Sequence, residues 1–161
     1  MDPLNVPIRY IPPSLTKKDL AKQKRELRKS RKMYKSKKYY TRSRIASFKS
    51  RKSRHLKHAE KLYSVDHIAP SKELAEKTQC SQDTLEKIVN KGRGAYFSSG
   101  SRPNQTAESW GIARLASAIT GGNSSTVDFH LLHAGCKPTS PALRLARKTC
   151  KKQNKCKKYN V

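Results

Sequence analysis

Three residues spaced by three, His130, His133 and Cys136, come closest to a metal-ligand set in this chain, and Cys150 and Cys156 follow them. Imidazole and thiolate both bind zinc. The spacing does not close a site, because Cys150 and Cys156 are separated by five residues where a finger places two to four. The expectation is therefore core histidines, no metal and no cofactor. No paired carboxylates stand near a histidine in a recognisable catalytic order, so we expect no enzyme and no small-molecule substrate.

A second constellation lies at residues 91–105, KGRGAYFSSGSRPNQ. Glycines, serines, Arg93 and Arg102 ahead of a helix could hold an anion, with Ser99 as a hydroxyl donor. The order of a phosphate-binding loop is absent, no strand signal precedes it, and no nucleophile elbow surrounds Ser98 and Ser99. A tight loop whose hydroxyls serve the backbone is the expected outcome. An enzyme acting on phosphate-bearing substrates through this loop is the weakest of the readings.

The third constellation is electrostatic. Residues 35–54 alternate serine with Lys and Arg, and Tyr34, Tyr39, Tyr40 and Phe48 are interleaved. Cations neutralise phosphates, hydroxyls donate to them, and rings stack on exposed bases. The candidate polyanion-binding residues are Lys24, Arg25, Arg28, Arg31, Arg42, Arg44, Arg51, Arg54, Lys151 and Lys152. A solvated linker open to phosphorylation would show the same pattern.

The charge is partitioned. Residues 1–62 hold twenty-one basic and four acidic side chains (+17), residues 63–136 seven of each, and residues 137–161 nine basic and no acidic (+9). Hydrophobic residues are only 34% of the 161, and the deficit lies mostly in the two basic parts. Four segments follow: a proline-rich extended strap at 1–15, a basic helical arm at 16–62, a charge-neutral helical core domain at 63–136, and a basic helix and tail at 137–161. No stretch reaches the ~18 apolar residues of a membrane span. MDPLNVPIRYIPP has no basic region leading into an apolar run, so we expect no secretory signal and synthesis into the cytoplasm or nucleus. In that reducing setting the four cysteines are expected as free thiols or ligands before disulfides.

The elements that must position these residues read as helices. Thr16 and Asp19 outline a capping box for a helix at about 17–34, with a thin apolar seam of Leu20, Leu27 and Tyr34. A second helix spans 53–63. Residues 71–91 carry helix-turn-helix spacing, with Gly92 as the stop. Gln79 stands where glycine usually eases that turn, and Gln82, Asp83 and Glu86 suit a phosphate backbone badly, so two packed helices are expected and not a DNA reader. Residues 106–120, with Trp110, Ile112, Leu115 and Ile119, form the central core helix. Residues 126–135 suit strand or helix, and we read helix. Ser140-Pro141 starts the last helix. The fold class is mainly α: a small helical domain with extended basic arms.

The run KGRGAYFSSGSRPNQTAESWGIARLASAITGG, with VDFHLL after it, resembles a family of small basic proteins encoded by nucleocytoplasmic large DNA viruses, the chlorella viruses among them. YYTRSRIASFKSRKSRHLKHAEKLY is similar as well, and the resemblance covers about residues 9–145. It implies a viral setting, the virion itself, and carries over no catalytic residues. We expect a non-enzymatic virion component, a minor capsid or virion-internal protein. Its basic arms would bind capsid proteins or other virion proteins, an anionic membrane surface, or packaged DNA. The alternative is a DNA- or RNA-binding or condensing protein using the same arms.

Overall fold

A computed structural model describes residues 4–161; Pro3 and the rest of the strap's first three residues lie outside it. The protein is mainly α. Eight helices occur among the described residues: α1 Lys17–Lys35, α2 Arg54–Leu62, α3 Lys72–Thr78, α4 Gln82–Ser98, α5 Ala107–Ile119, α6 Asn123–Val127, α7 Phe129–Gly135 and α8 Pro141–Lys152. There is no strand among them, only an isolated antiparallel bridge between Cys80 and Cys136. The segment at 126–135 is helical, as read.

The chain forms two compact units that do not follow the charge split. The first is Met1–Arg51 with Arg93–Trp110, and the second is Lys52–Gly92 with Gly111–Val161. The boundaries fall inside α4 and α5.

In the first unit, the Thr16 hydroxyl caps α1 by accepting from the Asp19 N–H at 3.2 Å. The box closes only on that side. The Asp19 carboxylate accepts from the Ser47 N–H at 2.8 Å, and the Thr16 N–H donates to the Ser47 hydroxyl. The helix hides Gln23, Glu26, Leu27 and Ser30, at the 3, 4 and 7 spacing of one face. The sequence seam shares only Leu27 with that face; Leu20 is half-buried and Tyr34 exposed. Polar side chains hold the inner face, which hydropathy alone does not predict. Gln23 donates to the Tyr10 carbonyl at 3.0 Å. The proline-rich segment makes a short 3-10 turn at Ile8–Tyr10, and Tyr10 is buried, edge-on to Trp110 at 5.7 Å.

Residues 39–51 are irregular, and 40–48 of them are pinned. Glu26 accepts from the Ser43 N–H at 2.6 Å and from the Tyr40 hydroxyl at 2.8 Å. The Asn104 amide exchanges hydrogen bonds with the Ile45 backbone at 2.7 and 3.1 Å, and Ile45 is fully buried. The stretch 40–48 of the alternating Lys/Ser segment is therefore a strap laid on its own unit.

The second unit holds the main apolar core: Leu74, Leu85, Ile88, Val89, Leu115, Ile119, Phe129, Leu132 and Leu143 are all essentially inaccessible to solvent. Burial of this kind is worth about 1.5–3 kcal/mol per large side chain. Gly92 does not end the fourth helix, as the sequence suggested. A Cβ there would come within 2.5 Å of the Gly111 Cα, and one at Gly111 within 2.6 Å of the Val89 carbonyl. These glycines let α4 and α5 cross in backbone contact, and α4 runs on to Ser98. Residues 91–98, read as loop, are helix.

The cysteines also depart from expectation. They are not free thiols: Cys80 is bonded to Cys136, and Cys150 to Cys156. The turn after α3, with Gln79 left-handed at φ 57°, lies against the turn after α7. The Lys137 N–H donates to the Gln79 carbonyl, and the Ser81 N–H to the Gly135 carbonyl, each at 2.9 Å. That two-bond register places the sulfurs opposite each other. The turn of the suspected helix-turn-helix is thus occupied by the chain's own segment. The second bond turns the tail back from the end of α8, and Tyr159 packs on Phe129 and His133 of α7. Residues 137–161 are part of the core and not a free arm: Ala142, Leu143, Ala146 and Cys150 are buried.

Candidate polyanion-binding surfaces

Helix α8 is amphipathic by position. The Ser140 hydroxyl caps it by accepting from the Leu143 N–H, and Pro141 occupies the first turn. Its apolar face is buried. Away from that face stand Arg144, Arg147, Lys148 and Lys151, spaced by 3, 4 and 7. With Pro138, Thr139 and Ser140 they line an open concavity of about 630 Å³. None of these four side chains makes a hydrogen bond or ion pair among the described residues. Over a rise of about 10 Å the stripe presents four cations. Each strand of a duplex carries one phosphate charge per ~3.4 Å of axis, so the stripe matches the spacing along one strand.

The sequence candidates divide into three groups. Arg25, Arg44, Arg51, Arg54, Lys151 and Lys152 are exposed and Lys24 is half-exposed, all available to a polyanion. Arg31 is committed to the fold, donating to the Ser99 carbonyl at 2.8 Å and the Asn5 carbonyl at 3.1 Å. Arg28 is half-buried, and its Nε is buried without a hydrogen-bond partner.

Arg42 is a correction. Its guanidinium points inward, at 2.8 Å from the Ser30 hydroxyl, 2.7 Å from the Tyr96 carbonyl and 2.6 Å from the Ser101 hydroxyl. It also lies 3.8 Å from the centre of the Tyr96 ring. Burial lowers its pKa, opposed by Tyr96, Tyr10 and Glu26, and a guanidinium stays charged regardless. The physical reason lies at the end of α4. The last four carbonyls of a helix lack intrahelical partners and carry partial negative charge. Arg42 takes the Tyr96 carbonyl, Ser30 donates to that of Phe97, and Arg31 takes that of Ser99 just beyond. Cations counted as binding charge are here a C-terminal cap.

The suspected anion loop does not assemble. Arg93 lies in α4 and is ion-paired with Glu108 at 2.6 Å. Ser99 is used through its carbonyl by Arg31. Arg102 is exposed, and no shared partner joins it to the other two. The loop hydroxyl that does work is that of Ser101, which receives Arg42 and donates to the Arg102 carbonyl.

Sequence reasoning missed an aromatic concavity in the first unit. Helix α1 ends in a turn in which the Lys37 N–H donates to the Tyr34 carbonyl and the Lys38 N–H to that of Met33, with Lys37 left-handed at φ 60°. The chain reverses, and Tyr39 returns to 6.3 Å from Tyr34 and 5.1 Å from Phe97, centre to centre. Tyr34, Tyr39, Phe97, Arg93 and Gly94 line about 330 Å³. Tyr39 is 70% exposed. Gly94 costs its helix about 1 kcal/mol relative to alanine, yet a Cβ there would meet nothing within 4 Å.

The histidines do not gather with the cysteines. His133 lies among aromatic rings, and exposed His130 is 3.2 Å from the Lys91 ammonium. Among the described residues no three His, Cys, Asp or Glu side chains are grouped to hold a metal ion. Asp128, fully buried, is held by Arg114 through two bonds at 2.8 and 2.7 Å, which ties α5 to the junction of α6 and α7. No helix among the described residues is long and apolar enough to cross a membrane.

Residues 7–130 match the model of a family described as a family of unknown function, DUF5824, and the chain belongs to that family. No curated protein and no solved structure matches it.

Proposed function

We propose that the protein is a non-enzymatic structural component of a large DNA virus particle, internal to the virion, that lies against packaged nucleic acid. The observation that carries the nucleic-acid part is the α8 stripe of Arg144, Arg147, Lys148 and Lys151, four adjacent cations with no internal acid to neutralise them. Arg25, Arg44, Arg51 and Arg54 add exposed positive charge elsewhere. The viral setting is supported by the resemblance of the run at 91–122. An extended contact with phosphates asks only for positive charge held on a rigid element, which α8 supplies.

The test is DNA affinity against salt. Each phosphate neutralised adds about 0.9 to the slope of log affinity on log salt. Replacing all four stripe residues by alanine is expected to lower that slope by roughly 3–4. Arg144, Lys148 and Lys151 are exposed and Arg147 half-buried, and alanine is the best helix former, so helicity should hold. An unchanged slope, or no affinity for DNA at low salt, overturns the proposal. Fixed stoichiometry with the shell protein in particles stripped of DNA would move the partner to an acidic capsid protein.

A further inference from the structure

The aromatic concavity has no part in a phosphate contact. Its walls are Tyr34, Tyr39 and Phe97, and its charged side chain, Arg93, is already paired with Glu108. That pair is neutral in sum. The concavity therefore suits a flat, uncharged group and not a phosphate. Phosphate-binding charge lies beside it in sequence: Lys35, Lys37 and Lys38 are exposed, between Tyr34 and Tyr39.

Gly94 supplies an independent observation. Gly92, two residues earlier, is explained by its contact with Gly111. Gly94 sits in the same helix, touches nothing in the chain where a side chain would stand, and lines the concavity. A helix interior gains from alanine unless something else needs the space. The missing side chain leaves the helix backbone open to an occupant between the rings.

We infer that this concavity takes an unpaired nucleobase of a single-stranded nucleic acid, held between Tyr39 and Phe97 with its phosphates on Lys35, Lys37 and Lys38. Rings at a mutual tilt of 50° cannot both lie flat on one base. One ring stacks and the other meets the base by its edge, an arrangement aromatic pairs favour. The cationic flank selects a polyanion carrying a flat group, and a single strand is the one polyanion whose bases are free to leave the backbone. This rests on the nucleic-acid reading above and narrows it to strands with unpaired bases.

The experiment measures anisotropy of a labelled twelve-nucleotide thymidine strand and of a duplex of equal length, at one fixed salt concentration, with the full chain. The single strand is expected to bind more tightly than its charge alone gives. Tyr39→Ala and Gly94→Leu are expected to weaken single-strand binding roughly five- to a hundredfold, with duplex binding unchanged. Both positions are open to solvent, and circular dichroism confirms the fold of each variant. Equal binding of both forms, unaffected by either substitution, overturns this inference and leaves the α8 contact standing. No binding of either form overturns both. A dimer in sedimentation that Tyr39→Ala dissociates assigns the concavity to a second copy and overturns the nucleobase.

Discussion

Arg42 separates two uses of positive charge, and its removal has a computable consequence. Arg42→Ala takes three hydrogen bonds of 2.6–2.8 Å and a ring contact from the interior of the first unit. The loss is not the sum of three charged bonds. The Ser30 and Ser101 hydroxyls keep other acceptors, the Phe97 and Arg102 carbonyls. The group left orphaned is the Tyr96 carbonyl, and an unsatisfied buried acceptor costs about 1–3 kcal/mol. Removing a partly buried cation from a helix C-terminus adds up to ~2 kcal/mol, and the guanidinium–ring contact ~1 kcal/mol or more. Sparing the desolvation of the guanidinium returns part of this. The net expectation is a destabilisation of about 3 kcal/mol, which falls in the range for breaking a buried charged contact.

The chain has one tryptophan, and Trp110 belongs to the first unit. Its fluorescence in urea therefore reports the unit that holds Arg42. With a slope of about 2 kcal/mol per molar, the midpoint should fall by about 1.5 M. Arg42→Lys keeps the charge without the fork and should fall between wild type and alanine. Arg44→Ala and Arg51→Ala, at exposed positions, should stay within about 0.5 kcal/mol. DNA affinity should show the reverse order. An Arg42→Ala midpoint equal to wild type, with DNA binding lowered as in Arg44→Ala, would refute the assignment of Arg42 to the cap.

Two further perturbations follow from the same contacts. Burial raises the pKa of Glu26, but hydrogen bonds from Ser43 and Tyr40, with the charge of Lys29, more than reverse it and leave the value below 4.5. A depressed carboxyl stabilises the fold fully above its unfolded pKa and loses that contribution as pH falls through the folded value. The Trp110 midpoint should therefore hold above about pH 5 and drop on acidification below ~4.5, and Glu26→Gln should remove part of that drop; parallel profiles for the two proteins would exclude it. The Cys80–Cys136 bond spans 56 residues and the Cys150–Cys156 bond 6. Loop-closure entropy then assigns about 4 and 2 kcal/mol to them. Replacing Cys80 and Cys136 by serine should lower the helical melting midpoint more than replacing Cys150 and Cys156; the opposite ranking, or indifference to both, would reject the loop-closure account.

Local signals in the sequence were legible where one residue fixes one backbone event. Thr16, Ser71 and Ser140-Pro141 start α1, α3 and α8 where they stand. The apolar run of α5 supplies Leu115, Ala116 and Ile119 to the core. Reading failed where the deciding partner is remote. Gly92 reads as a helix stop until Gly111, nineteen positions on, is known to press against it. The cysteine pairing depends on two turns meeting, which spacing cannot show. Residues 40–48 look like a solvated linker, yet single polar residues on other segments, Glu26 and Asn104, hold them down. Tyr39 and Phe97 form one wall of a site from positions 58 apart.

The charge itself carries the last step. Thirty-seven bases face eleven acids, so pairing every acid would still leave twenty-six cations. The fold absorbs some without acids at all: Arg31 donates to the Ser99 and Asn5 carbonyls, and Arg42 to the Tyr96 carbonyl and the Ser30 and Ser101 hydroxyls. That device uses helix dipoles as the counter-charge, and it is limited by the number of helix ends. Lysine cannot substitute well in it, because a fork reaches several acceptors where an ammonium is a point charge. Some other cations outside are held by backbone carbonyls or acids, as Lys22 and Lys77 are by the Arg44 and Ser64 carbonyls, while those on α8 have no such partner among the described residues and are aligned over an open concavity. Self-repulsion along that stripe opposes folding. A bound polyanion removes the repulsion, so ligand binding and stability of the second unit should rise together.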